Sequence, residues 1–458
     1  MHRPAAVSRW PRRWSDISSS VRRTAFSFRN ATLALAGSFL LVALTAESVP
    51  KKIDWVSDLR FFESEFPKAH VDPFHALTRE HLHQMVSSLV DRAPQSTDRQ
   101  MVAGLMRITS AIGDSHSGIH FIPPNLRFTN VPVGLYLFGD EPGIVESAPE
   151  YRDLVGGSVL FINGHPAKQV VQHMKSLSEG TNDMTRSAFV VTRLMRPELL
   201  FYEGLAKRPD QYDLVVLKDG RTISRTLSAM GRQADGSPVT GGFSLPLPTP
   251  VQGSNWISAA PAALPLWLRN PERQFWFADV PERSALYVQD RLVLDEANGK
   301  TFATFFQDVF RKIQEGRYQI VVLDIRLNGG GDNTLIEPLQ ASFRSMAAFQ
   351  TKGRFYVIIG RYTQSAAENF TTFLERNTKA IFVGEPTGES PNHYGDPDPI
   401  ELPSSGIAIN LSRRRWNDSD PGDHRDSTHP AILAPLTLND FRWGRDPALE
   451  AIWKQSAR

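Results

Sequence analysis

The sequence predicts an α/β protein whose C-terminal half is built on a largely parallel, buried sheet. Apolar runs of strand length, YQIVVLDI (318–325) and FYVII (355–359), show no polar alternation, as expected of strands covered on both faces. Between and before them lie helical patterns; Phe302, Phe305, Phe306, Val309, Phe310 and Ile313 share one wide apolar face. Turn sequences follow the strands directly, at Gly329–Gly331 and at Gly360.

Taken in order, the elements divide the chain into five segments. Residues 1–46 carry seven arginines and one acid, then the uncharged run Ala31 to Ala46. A basic stretch before a short apolar run reads as an export signal or an uncleaved signal anchor, and Arg22-Arg23 admits the twin-arginine route. Sixteen residues is short for a spanning helix, which needs about 20. Residues 52–127 read as a helical segment; Met101, Leu105, Ile108 and Ile112 repeat at helical spacing before the turn Gly113-Asp114. Residues 128–230 read as strand-rich, with VPVGLYLF, SVLFING and YDLVVL separated by turns. Residues 231–272 are rich in Gly, Pro and Ser, a linker or flap. The α/β pattern fills 273–458, with strands expected at 284–288, 318–325, 355–359 and 380–383 and helices between them.

Composition narrows the chemistry. The 458 residues include no cysteine, which excludes thiolate nucleophiles and cysteine-ligated zinc. Seven of the 51 Lys and Arg residues and one of the 49 acids lie in residues 1–46, so the remainder is acidic by about four charges. The basic balance therefore belongs to the targeting segment, and nucleic-acid binding is not expected. His81 and His83 lack metal-ligand spacing, and no cofactor or metal is implied.

Three motifs carry candidate chemistry. Asp324 to Gly331 (DIRLNGGG) follows a strand and can bring backbone N–H groups close to an anion; Asp332-Asn333 follows where a phosphate loop would place Lys and Ser or Thr. Gly360 to Glu368 (GRYTQSAAE) puts Ser365 at a strand–turn–helix junction, a nucleophile's position, with the Ala366 N–H and one from Gly330 or Gly331 as oxyanion donors. The same Ser365-x-x-Glu368 spacing is also a helix-capping pattern, in which the serine merely ends the helix. Gly113 to Gly118 (GDSHSG) places His116 in a turn, where an imidazole of pKa about 6.5 suits general-base work. A plain surface turn is the competing reading of that motif.

Together AIGDSHSGI, VVLDIRLNGGG, VIIGRYTQSAAENF, IFVGEPTGESPNHYGD and the tail from His429 resemble the C-terminal-processing and tricorn-like serine peptidases, the tail-specific protease superfamily. The resemblance implies a crotonase/Clp-protease-like spiral core beside an N-terminal helical segment and a PDZ-like domain at 128–230. It implies Ser365 as nucleophile and His116 as base, with Ser115 supporting it. One branch of the family uses a lysine just after a GExTxG-like segment. Here Glu389 and Ser390 stand at that place, so the Ser–His branch is expected. The acid of that branch is a glutamate a few residues before a Pro-Asp-Ile segment; here Pro430-Ala431-Ile432 stands at that place with no glutamate near it, which leaves Asp423 as the first candidate and Asp426 as the second. His393 and Gln289 are candidates to line the substrate site, and His393 also competes as base. The expected function is hydrolysis of extracytoplasmic peptides or proteins, with membrane anchoring through the N-terminal apolar run as an option. A catalytically silent protein binding peptides or apolar ligands on this scaffold, and a serine esterase or amidase, are the alternatives.

Overall fold

The computed structural model describes residues 52–233, 255–297 and 299–456. The N-terminal basic and apolar segment and half of the Gly/Pro/Ser-rich stretch, residues 234–254, lie outside these residues. Among the described residues no helix is long and apolar enough to cross a membrane.

A six-stranded sheet organises the C-terminal half. Its order is Ile432–Leu433, Ile381–Gly384, Arg354–Ile359, Ile320–Asp324, Ala285–Asp290, Phe275–Val280. Every neighbouring pair is parallel except the last, which is antiparallel. Both faces are covered. Val321, Leu323, Phe355 and Val357 face a core shared with the helices Phe302–Glu315, Gln340–Phe349 and Ala366–Asn377. Ile320, Val322, Tyr356 and Ile358 face the opposite core, closed by the helix Pro447–Ser456. This double burial explains the unbroken apolar runs, because alternate side chains leave water on opposite faces. At roughly 1.5–3 kcal/mol for each large side chain taken from water, these strands are a principal source of the fold's stability.

An antiparallel sheet forms the second layer. It runs Val133–Phe138, Glu141–Ser147, Ser158–Ile162, Gln211–Lys218, Arg221–Ser228, with the helices Ala167–Lys175, Asp183–Leu194 and Pro197–Tyr202 inserted between its third and fourth strands. Those helices are absent from the strand-rich sequence reading. The N-terminal segment is three helices, Trp55–Ala69, Arg79–Arg92 and Asp98–Ser110. The last has the expected buried face of Met101, Leu105 and Ile108.

A three-stranded sheet links the two ends of the chain. Gly118–Phe121 pairs antiparallel with Ala408–Asn417, which pairs in turn with Asn392–Glu401. The register Gly118↔Asn410 fixes the turn just before Gly118 against the C-terminal half. The sequence pattern does not announce this hairpin: Gly395, Pro397 and Pro399 interrupt its first strand.

Candidate active site

Two of the three turns carrying expected motifs leave the carboxyl ends of adjacent parallel strands, where α/β sheets form their clefts, while the His116 turn follows the helix Asp98–Ser110. The glycine loop follows Ile320–Asp324, the Ser365 turn follows Arg354–Ile359, and the segment leading to Glu389 follows Ile381–Gly384.

Ser365 is the N-cap residue of the helix Ala366–Asn377, but it makes no side-chain cap bond. Its backbone sits at φ 54° and ψ −129°. A non-glycine residue held there costs on the order of 1–3 kcal/mol, so the surrounding turn must enforce it. Three bonds do so: Gln364 N–H donates to the Asn328 carbonyl at 3.2 Å, and the Glu368 and Asn369 N–H groups donate to the Ser365 carbonyl at 2.8 and 3.1 Å. The capping reading fails on Glu368 as well, because its carboxyl does not reach back to Ser365. It is fully buried and accepts from the Thr428 hydroxyl at 2.6 Å. Burial raises the Glu368 pKa to about 8, so it is protonated at neutral pH and adds no second negative charge beside Glu389. The half-buried Ser365 hydroxyl has no hydrogen-bond partner among the described residues.

The glycine loop lies directly against this turn. Gly330 has φ 102°, and a Cβ there would stand 2.5 Å from the Ser365 Cβ and 3.0 Å from the Ala366 nitrogen. Any larger residue would push Ser365 aside. The Gly330 N–H is already used, donating to Asn328 Oδ1 at 2.9 Å. The N–H groups of Ala366 and Gly331 donate to no acceptor among the described residues. Of the three expected oxyanion donors, then, Ala366 and Gly331 are uncommitted.

His116 is anchored by a feature the sequence reading missed. Asp114 Oδ1 accepts from the His116 and Ser117 N–H groups at 2.8 and 2.7 Å and from the Ser412 hydroxyl at 3.0 Å. Asp114 Oδ2 lies 2.8 Å from His70 Nε2, with both side chains fully buried. His70 Nδ1 accepts from the Asp72 N–H at 3.0 Å, so Nε2 bears the proton and donates to Asp114. Burial opposes the Asp114 charge, but His70 and the Ser117 contact outweigh it and hold the pKa near 2.

Glu389 joins the base to the nucleophile's backbone. One carboxylate oxygen accepts from the Ser365 N–H at 2.7 Å. The other accepts from the Ser115 hydroxyl and lies 3.5 Å from His116 Nδ1. Ser115 Oγ is itself 3.1 Å from His116 Nδ1. These acceptors favour the tautomer with a proton on Nδ1, which leaves a basic lone pair on Nε2. Burial disfavours charge on His116, yet the Glu389 carboxylate outweighs it and raises the imidazole pKa. Burial likewise works against Glu389, and the facing His116 and His393 overcome it, bringing the carboxyl to about 2.

The remaining expected residues fall elsewhere. Asp423 accepts from the Ser419 hydroxyl at 2.6 Å and from the Arg425 guanidinium at 2.7 Å, and Arg425 also grips Glu375. The Asp426 carboxylate lies 3.8 Å from His429. Among the described residues neither acid bonds to His116, and the carboxylate facing that ring is Glu389. Gln289 is fully buried; it donates to the Asp324 carbonyl at 3.1 Å and accepts from the Tyr287 hydroxyl at 2.6 Å, so both its polar ends are occupied inside the sheet. His393 stacks on His116 with ring centroids 6.2 Å apart. Its Nδ1 donates to the Ser390 carbonyl at 3.1 Å, its buried Nε2 is unpaired, and burial depresses its pKa. Glu389 had a visible signal in the sequence: it is the acid standing where one branch of the family would place lysine.

Comparison with known proteins supports the architecture. No protein-family model matches the chain, and no curated protein matches it. Among solved structures, mature CPAF complexed with lactacystin superposes with a TM-score of 0.60 at 14% identity, over 88% of this chain and 98% of that one. A CPAF mutant gives 0.61 at 12% identity, over 88% and 97%. A photosystem II D1 C-terminal processing protease gives 0.40 at 14%, over 87% and 99%. At such identities the likeness is one of fold: the chain is an α/β protein whose architecture resembles that of CPAF, and whose motifs resemble those of the tail-specific serine peptidases.

Proposed function

We propose that the chain is a serine peptidase acting on peptides or unfolded protein segments outside the cytoplasm. Ser365 attacks the scissile carbonyl while His116 Nε2 takes its proton. The developing oxyanion is held by the N–H groups of Ala366 and Gly331. The imidazolium then protonates the leaving amine, and water repeats the sequence on the acyl-enzyme. Glu389, with Ser115 beside it, orients His116 and stabilises its charged form. The observation that carries this reading is the single Glu389 carboxylate shared between the Ser365 backbone and the Ser115–His116 pair. The resting hydroxyl is unbonded, so attack requires the imidazole to close on it; such contacts commonly tighten on substrate binding. An extracytoplasmic setting is supported by the basic N-terminus followed by Ala31 to Ala46.

A fluorophosphonate probe tests the assignment. Tandem mass spectrometry of the labelled protein should place the adduct on Ser365 in the wild type. A preparation that turns over peptide yet carries no adduct there would contradict it.

A further inference from the structure

A groove of about 520 Å³ runs beside the nucleophile's helix and has a basic, aromatic lining. It begins near the reaction centre, at Asn369 in the first turn of Ala366–Asn377. Asn369 accepts from the Asn333 amide at 3.2 Å, and Asn333 lies two residues beyond the glycine loop. From there the groove follows the helix past Phe373 to Arg376. Its far wall is the strand Ala408–Asn417, which contributes Arg414 and Trp416.

Three guanidinium groups line this groove, and two of them, Arg344 and Arg376, have no carboxylate partner among the described residues. Arg344 is held by neutral acceptors, Asn377 Oδ1 and Gln340 Oε1, each at 3.1 Å, and lies over the Phe373 ring. Arg414 is stacked on Trp416, 3.7 Å from the ring centroid, and pairs with the Asp396 carboxylate at 3.8 Å. Arg376 is exposed and forms no ion pair among the described residues. Two acids also line the groove, Glu337 and Asp418; the Asn369 amide donates to an Asp418 oxygen, which fixes that carboxylate without removing its charge. The lining thus sets three guanidinium groups against two carboxylates, which favours a negatively charged guest. Stacking on aromatic rings holds Arg344 and Arg414 in place, which reduces the ordering cost of meeting a carboxylate.

We infer that this groove is a substrate subsite selective for peptides with acidic side chains at a distance from the scissile bond. The inference rests on the peptidase reading and adds the substrate class. Spacing sets the positions. Eleven residues of helix from Ser365 to Arg376 span about 16 Å. An extended peptide covers about 3.3 Å per residue. The arginine end of the groove therefore meets a side chain four to five residues from the cleaved bond, and Asn369 meets one nearer to it. Between these points Phe373 and Trp416 offer apolar surface to the intervening residues.

The test uses two quenched fluorescent peptides of matched sequence, neutral or carrying Glu at the fourth and fifth positions from the cleaved bond. A pair is made for each side of that bond. On one side, the wild type should cleave the acidic peptide with kcat/KM about tenfold higher. Raising the salt should shrink that preference, as expected for exposed charges. The double variant Arg376→Glu, Arg414→Glu should invert it while leaving the neutral peptide's kcat/KM within about twofold, which also reports that the variant is folded. Equal cleavage of acidic and neutral peptides on both sides would overturn the subsite. Cleavage of neither by the wild type would instead overturn the peptidase reading.

Discussion

Replacing Ser365 by alanine, or His116 by alanine, is expected to lower kcat for a peptide substrate by about 10⁴–10⁶, and combining the two is expected to lower it little further. Nucleophile and base act as a unit, so once one is gone the other has nothing to do; the residual rate comes from substrate binding and oxyanion donors. Steady-state kinetics of the three variants check this. Additive losses would show that the two residues serve separate steps. The scaffold should tolerate both changes: the Ser365 hydroxyl forms no capping bond, and the His116 turn is held by its backbone on Asp114 rather than by its ring.

Glu389→Gln is expected to cost about 10³–10⁴ in kcat, the scale seen when a triad acid becomes an amide. The amide can present its NH₂ to Ser115 and His116, favouring the wrong imidazole tautomer. The pH profile separates this role from a merely structural one. His116 must be neutral to act as base. Its pKa is raised in the wild type because Glu389 outweighs burial, so the acid limb of kcat/KM should lie above the ordinary histidine value of about 6.5. Removing the carboxylate leaves burial in control, which lowers the pKa. The acid limb should therefore move to lower pH while the plateau falls. An unchanged limb would detach Glu389 from the base. Glu389 itself, with a pKa of about 2, stays ionised across that range.

The sequence exposes those parts of this molecule whose cause is local. Doubly covered strands read plainly, since YQIVVLDI and FYVII need no partner to declare themselves. The strand–turn–helix setting of Ser365 is also local, as is the glycine loop, although which glycine N–H is free depended on Asn328. The long-range parts were hidden. The hairpin carrying His393 has prolines in its first strand and is recognisable through its pairing with Gly118–Phe121. Asp114 looks like a turn residue until His70, 44 positions earlier, is seen bonded to it inside the core. Asp423 fitted an expected position in the chain, but Arg425, two residues on, claims its carboxylate. Glu389 lies 24 residues past Ser365 in sequence and touches it in space, a contact created by adjacent parallel strands rather than by any motif.

A crystal structure of the protein after reaction with a peptidyl fluorophosphonate would test the central assignment most directly. The account predicts a bond from Ser365 Oγ to phosphorus, His116 Nε2 within about 2.6–3.2 Å of an oxygen of the adduct, and the phosphoryl oxygen accepting from the Ala366 and Gly331 N–H groups. An adduct on another residue, or one on Ser365 with His116 turned away from it, would contradict it.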